Sequence, residues 1–88
     1  MRKGVIGPTK TELCEATLKV LADENKEYTT KDINDQVAIL LQLTEEYLKT
    51  EDESGIGTAY DYRMRWVRTE LKKQGKIYNP KRGIWKKA

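Results

Sequence analysis

From Thr58 to Gln74 the chain runs without a proline or glycine, Gly75 follows, and then comes the stretch KIYNPKRGIWKK. This order constrains the fold more than any other feature. The long uninterrupted segment is a helix, with Thr58 opening it and Gly75 standing where a helix C-cap belongs. Ile77-Tyr78 and Ile84-Trp85 are strand-forming pairs on either side of a Pro/Gly turn, so the helix passes at once into a β-hairpin whose tip is Asn79-Pro80-Lys81-Arg82-Gly83. At about 100° per residue, Met64, Val67 and Leu71 fall within about 40° of Tyr60, which gives the helix a core stripe. Trp66 lies on a flank of that stripe. Both it and Trp85 are read as core residues, because aromatic side chains at helical or strand spacing usually are.

The earlier part of the chain supplies the elements against which this helix packs. Pro8-Thr9-Lys10-Thr11 starts a helix, with proline in its first turn and a threonine to cap it. Leu13, Cys14, Ala16, Leu18, Val20 and Leu21 follow at helical spacing, predicting a helix from Thr9 to Asp23. Cys14 is on its apolar side and reads as buried and inert. Tyr28-Thr29 is a short extended piece. Thr30 is read as the cap of a second helix, with Asp32 in the first turn against the helix dipole. Ile33, Val37, Leu40 and Leu41 form its buried stripe. Thr44 caps one further helical turn with Tyr47 and Leu48 facing the core, and Lys49 to Gly57 is a loop.

The predicted fold class is therefore α+β and mostly helical, with three main helices, an extra helical turn and a C-terminal β-hairpin. Helix, short strand, helix, helix, hairpin is the order of a winged helix-turn-helix, with the hairpin as wing. At 88 residues the chain is expected to be one domain, folded over 9–87 with a flexible N-terminus at 1–8.

Composition removes many functions. The chain has no histidine and one cysteine, so the commonest general base, cysteine-based zinc sites and intrachain disulfides are all excluded. No apolar run approaches the roughly 20 residues that span a bilayer, so no membrane association and a cytoplasmic location are expected. Net charge is only +3, but its distribution is uneven. Acidic residues outnumber basic ones up to Gly57, whereas from Thr58 onward ten Lys/Arg face only Asp61 and Glu70. A basic final third made of one helix and one hairpin suits a polyanion.

The arc of the long helix opposite its core stripe holds Tyr62, Arg65, Arg68, Thr69, Lys72 and Lys73. Such a face can be merely solvated. It is also what a major-groove helix needs, since arginine forks onto guanine, lysine neutralises phosphate, and threonine or tyrosine bonds phosphate or packs on thymine methyl. Lys81 and Arg82 at the wing tip add a contact to phosphates or the minor groove. One motif points elsewhere: Asp61 with Glu70-Leu71-Lys72 spells the metal-binding pattern of restriction-fold nucleases. It lies inside the predicted helix with Leu71 in the core stripe, so no catalytic residue, metal or cofactor is assigned. Gly55-Ile56-Gly57 lacks the strand and lysine of a phosphate loop and reads as entry to the helix.

The run YDYRMRWVRTELKKQGKIYNPKRGIWKK resembles the N-terminal domain of Mrr-type restriction system proteins. The matching residues are Arg63, Arg65, Trp66, Leu71, Lys72, Lys73, Gly75, Pro80, Arg82, Gly83 and Trp85. The Thr29-Thr30-Lys31 helix start and LTEEYL are similar too, so the likeness spans roughly Thr9 to Lys87. It implies a winged helix that delivers a restriction-type nuclease domain to DNA, with no nuclease activity of its own. The expected function is non-catalytic binding of double-stranded DNA through Tyr62, Arg65, Arg68, Thr69, Lys72, Lys73, Lys81 and Arg82. Further partners are a nuclease domain or another protein. The competing reading is a protein-interaction adaptor working through the acidic Glu45, Glu46, Glu51, Asp52 and Glu53. The residues neither require nor exclude dimerisation over a palindromic site.

Overall fold

The computed structural model describes residues 7–51, 55 and 57–88. Helix α1 (Lys10–Val20) is capped by Thr9, whose hydroxyl accepts the Glu12 N–H at 3.1 Å while the Glu12 carboxylate accepts the Thr9 N–H at 2.8 Å. This reciprocal pair satisfies two donors left over at a helix start, and it leaves Pro8 ahead of the first turn rather than in it. The helix is shorter than the expected Thr9 to Asp23. Leu21 is its C-cap and is fully buried, so the chain turns as soon as that side chain reaches the core.

Strand β1 (Tyr28–Thr29) leads directly into α2 (Thr30–Leu40). The cap of α2 is Thr29, not Thr30 as the sequence was expected to give. The Thr29 hydroxyl accepts the Asp32 N–H at 3.0 Å, and the Asp32 carboxylate accepts the Thr29 N–H at 3.2 Å. The reason is spacing: a carboxylate three residues after the cap closes the box, and from Thr30 that position would be Ile33. Ile33 and Val37 are buried, but the stripe stops there. Leu40 is 46% exposed and Ile39 68%, because the last turn of α2 runs past the core, and Leu41 is only half-buried.

Thr44 caps α3 (Glu45–Leu48), accepting the Tyr47 N–H at 3.1 Å, and this turn buries Tyr47 edge-on against Tyr60 with Leu48 half-buried beside it. Glu51 then bridges to Thr58. Asp52, Glu53, Ser54 and Ile56 of the expected loop, and residues 1–6 of the expected flexible N-terminus, lie outside the described residues. Helix α4 (Ala59–Lys73) has Thr58 as N-cap and Gln74 as C-cap. Gly75 follows at φ 76°, a left-handed conformation that glycine adopts without strain and that ends the helix.

The hairpin is β2 (Ile77–Lys81) and β3 (Ile84–Lys87), and the sheet order is β1-β3-β2 with both pairings antiparallel. Tyr28 pairs with Trp85 and Thr29 with Ile84, which ties the wing to the start of α2. Register breaks between Tyr78 and Lys81, where Pro80 has no N–H to give and Asn79 Nδ2 donates instead to the Ile84 carbonyl at 2.8 Å. Strand β2 is an edge strand, where a proline and a bulge are tolerated.

The core joins Leu13, Ala16 and Leu21 of the α1 region, Ile33 and Val37 of α2, Tyr47 of α3, and Ile77 of β2 to the α4 stripe. That stripe is Tyr60, Met64, Val67 and Leu71, each no more than 4% exposed, as the spacing predicts. Cys14 is half-buried at its edge, and burial pushes its thiol above the ordinary value, disfavouring the reactive thiolate. The whole is an α+β, winged-helix-like fold. Among the described residues no helix is long and apolar enough to cross a membrane.

Candidate nucleic-acid interface

Helix α4 buries one stripe and exposes the other side along its full length. Arg65, Thr69, Lys72 and Lys73 are exposed, and Tyr62 is 48% exposed. The Thr69 hydroxyl donates back to the Arg65 carbonyl at 3.0 Å, leaving its oxygen free to accept. Lys72 and Lys73 occupy the last turn, where they also complement the helix dipole. Lys81 and Arg82 are both exposed on the wing. Lys81, however, belongs to β2 and pairs with Ile84, so the tip is the shorter turn Arg82-Gly83, with Gly83 at φ 76°. The expected five-residue tip is drawn into the strands because the bulge at Asn79-Pro80 lets pairing resume at Lys81.

Arg68 departs from the expected face. It is 8% exposed, lying in the seam between α4, α2 and the wing. Its position is about 80° from Tyr60, close enough to the core stripe for neighbouring elements to cover it. Its Nη1 donates to Asn34 Oδ1 at 2.6 Å, and its guanidinium lies 5.7 Å from the centroid of the Trp85 ring. Nε has no hydrogen-bond partner among the described residues. Burial pushes the guanidinium below its ordinary pKa, opposed by the nearby Asp61 carboxylate. Arg68 thus cannot reach a phosphate without leaving the seam.

Trp66 departs in the other direction. It was expected in the core but is 53% exposed, standing edge-to-face with Tyr62 at 6.2 Å between ring centroids. It is about 120° from Tyr60 around the helix axis, and the first turn of α1 covers only part of that side. Trp85 is half-buried against the core, as expected for a strand aromatic, and its indole N–H donates to the Thr30 hydroxyl at 3.0 Å.

The residues of the nuclease-like motif are spread around and along α4. Glu70 and Lys72 flank the buried Leu71 on opposite sides of the helix, Gln74 donates to Glu70, and Asn34 donates to Asp61. Among the described residues no group of three or more His, Cys, Asp or Glu is placed to hold a metal. Gly55 and Gly57 both have positive φ and lie in the connection ahead of α4, consistent with a loop role.

Sequence reasoning missed Asn34. It accepts from Arg68, donates to Asp61 at 3.3 Å, and its carbonyl accepts the Tyr60 hydroxyl at 2.6 Å, so it joins α2 to three positions of α4. Its partners are 26 to 34 residues away, and no local pattern marks it. The pairing of β1 with β3 was missed for the same reason.

The electrostatics of the exposed face are one-sided. The salt bridge between described residues is Lys31 to Asp35 on α2, so Arg65, Lys72, Lys73, Lys81 and Arg82 have no described carboxylate within ion-pair distance. Five such cations exposed on α4 and the hairpin, with Thr69 and Tyr62 also exposed on the helix, can neutralise phosphates and present donors to base edges.

No curated protein and no solved structure matches the chain. The family model described as Mrr N-terminal domain matches residues 11–86, taking in every element from α1 through the wing. With that match over nearly its whole length, the chain belongs to the Mrr N-terminal domain family.

Proposed function

We propose that the chain is a non-catalytic module that binds double-stranded DNA, with α4 in the major groove and the wing on neighbouring backbone. The observation that carries this reading is that Arg65, Lys72 and Lys73 on α4 and Lys81 and Arg82 on the hairpin stand exposed and without described carboxylate partners. Arg65 and Thr69 are the groove-facing residues, Tyr62 packs beside them, and the lysines and Arg82 take phosphate. Arg68 moves from direct contact to support of the surface. Membership in the Mrr N-terminal domain family supports a role in restriction systems, with a nuclease domain as the partner that the module delivers to DNA.

The test is fluorescence anisotropy of a labelled random-sequence duplex between about 50 and 200 mM salt. Four phosphate contacts give a slope of log affinity on log salt of about −3.6, at about −0.9 per contact. Absence of binding at the lower salt would defeat the reading and turn attention to the acidic first turn of α3, where Glu45 and Glu46 are exposed.

A further inference from the structure

A groove of about 550 Å³ opens between the start of α1 and the flank of α4. Its size falls in the roughly 300–1,000 Å³ range of clefts that hold small ligands. The buried side chains Leu13 and Val67 floor it, the exposed rings of Tyr62 and Trp66 stand along it, and Lys10 and Lys73 stand at its rim. The two rings meet edge-to-face at 6.2 Å between centroids, and the Trp66 side chain is 53% exposed.

We propose that this groove receives an unstacked nucleobase, extruded from or unpaired within DNA that α4 and the wing hold on either side. The inference rests on the DNA-binding reading above and names the form of DNA that the surface prefers.

Three observations converge on it. An intact duplex offers base edges and phosphates to a protein, whereas the faces of its bases are covered by stacking. An exposed indole in a concave, apolar-floored groove is complementary to a planar ring, and a free base supplies one. The groove is also continuous with the cationic face, since Tyr62 and Lys73 belong to both. A base seated on Trp66 would keep its flanking phosphates within the field of Lys10, Lys73 and Lys72. Finally, Glu70 lines the groove, and its carboxylate accepts from Gln74 Nε2 at 2.8 Å. A negative charge there repels phosphate from the interior but tolerates a neutral base. Arg63, the remaining cation of the lining, donates to the Pro8 carbonyl at 3.0 Å and holds the chain entering α1 against α4.

The experiment compares two labelled duplexes of one sequence, one perfect and one carrying a single extrahelical 2-aminopurine, bound to the full chain. The bulged duplex should bind about tenfold more tightly, in the range of one base stacked on an aromatic side chain, with its 2-aminopurine fluorescence quenched. Trp66→Ala should abolish both effects while leaving the affinity for the perfect duplex within about twofold, and Trp66→Phe should restore most of the preference. Equal affinity for both duplexes with unquenched 2-aminopurine overturns the groove assignment and leaves duplex binding standing. Failure to bind either duplex at low salt overturns the DNA-binding reading and the groove assignment with it.

Discussion

Arg68 Nη1 donates to Asn34 Oδ1 at 2.6 Å, a charged donor and a neutral acceptor meeting across the seam between α4 and α2. The same guanidinium lies over the Trp85 ring of the wing, and Trp85 in turn donates to Thr30 at the start of α2. Three elements are thereby fixed relative to one another by one cation, one amide and one indole. A buried arginine without a described carboxylate partner is costly to desolvate, so its value lies in holding helix and wing in one geometry.

Arg68→Ala should therefore lower unfolding free energy by about 2 kcal/mol, the scale of a lost hydrogen bond to a charged group with its partner left unsatisfied. Chemical denaturation reads this directly. Arg68→Ala should also weaken DNA binding without making its salt dependence less steep, because a buried guanidinium neutralises no phosphate. A salt slope shallower by about one unit would instead identify Arg68 as a phosphate contact.

The two threonines at the start of α2 separate cap from wing support. Thr29→Ala removes the hydroxyl that accepts the Asp32 N–H and should cost about 1 kcal/mol. Thr30→Ala leaves the cap intact but orphans the Trp85 indole N–H. It should alter Trp85 fluorescence, whereas Thr29→Ala should not. Comparing the emission of the two variants, alongside their denaturation midpoints, checks both assignments.

Those threonines also show where the sequence is legible. Periodicity located α4, its stripe and its glycine stop, because each is a statement about residues three or four apart. The helix starts were legible to within one residue, the one miss being Thr30 for Thr29, whose spacing to Asp32 closes the capping box. What the sequence did not expose is which element covers a flank: Arg68 and Trp66 both lie beside the stripe, yet α2 and the wing close over one while α1 leaves the other half open. That outcome depends on contacts such as Arg68 to Asn34 across 34 positions, which no local spacing encodes. Lys81 and Arg82 are exposed on the hairpin, but the reach of its strands depended on a bulge around Pro80 that spacing alone does not reveal.

Tyr60 gives the fold a pH dependence at the alkaline end. Its hydroxyl donates to the Asn34 carbonyl at 2.6 Å, and burial, reinforced by Tyr47 and Asp61, pushes its pKa well above the ordinary tyrosine value. The folded state then holds the proton more tightly than the unfolded chain. The contribution is complete below the unfolded value of about 10 and is lost as pH rises from there toward the higher folded value. Thermal midpoints should fall above about pH 10, and Tyr60→Phe should flatten part of that fall. The same variant should cost about 1 kcal/mol at neutral pH through the lost hydrogen bond. Absorbance titration should show one tyrosine that ionises only with unfolding.

The wing and the helix should fail differently when their cations are changed. Lys81 and Arg82 project from a hairpin end with no base-reading geometry of their own, so Lys81→Glu with Arg82→Glu should weaken binding to every duplex alike and make the salt slope about two units less steep. Arg65 sits mid-face on α4 beside Thr69, where a planar fork can meet a guanine edge. Arg65→Ala should cost about 1 to 3 kcal/mol on a preferred sequence and much less on others, blurring selection at one base step. Both variants alter exposed side chains only, so their thermal midpoints should stay near that of the parent chain. Anisotropy titrations on a selected duplex and a random one, at two salt concentrations, separate the two patterns. Unchanged affinity in the wing variant would remove the hairpin from the interface, and a uniform loss in Arg65→Ala would move that arginine from base edge to phosphate.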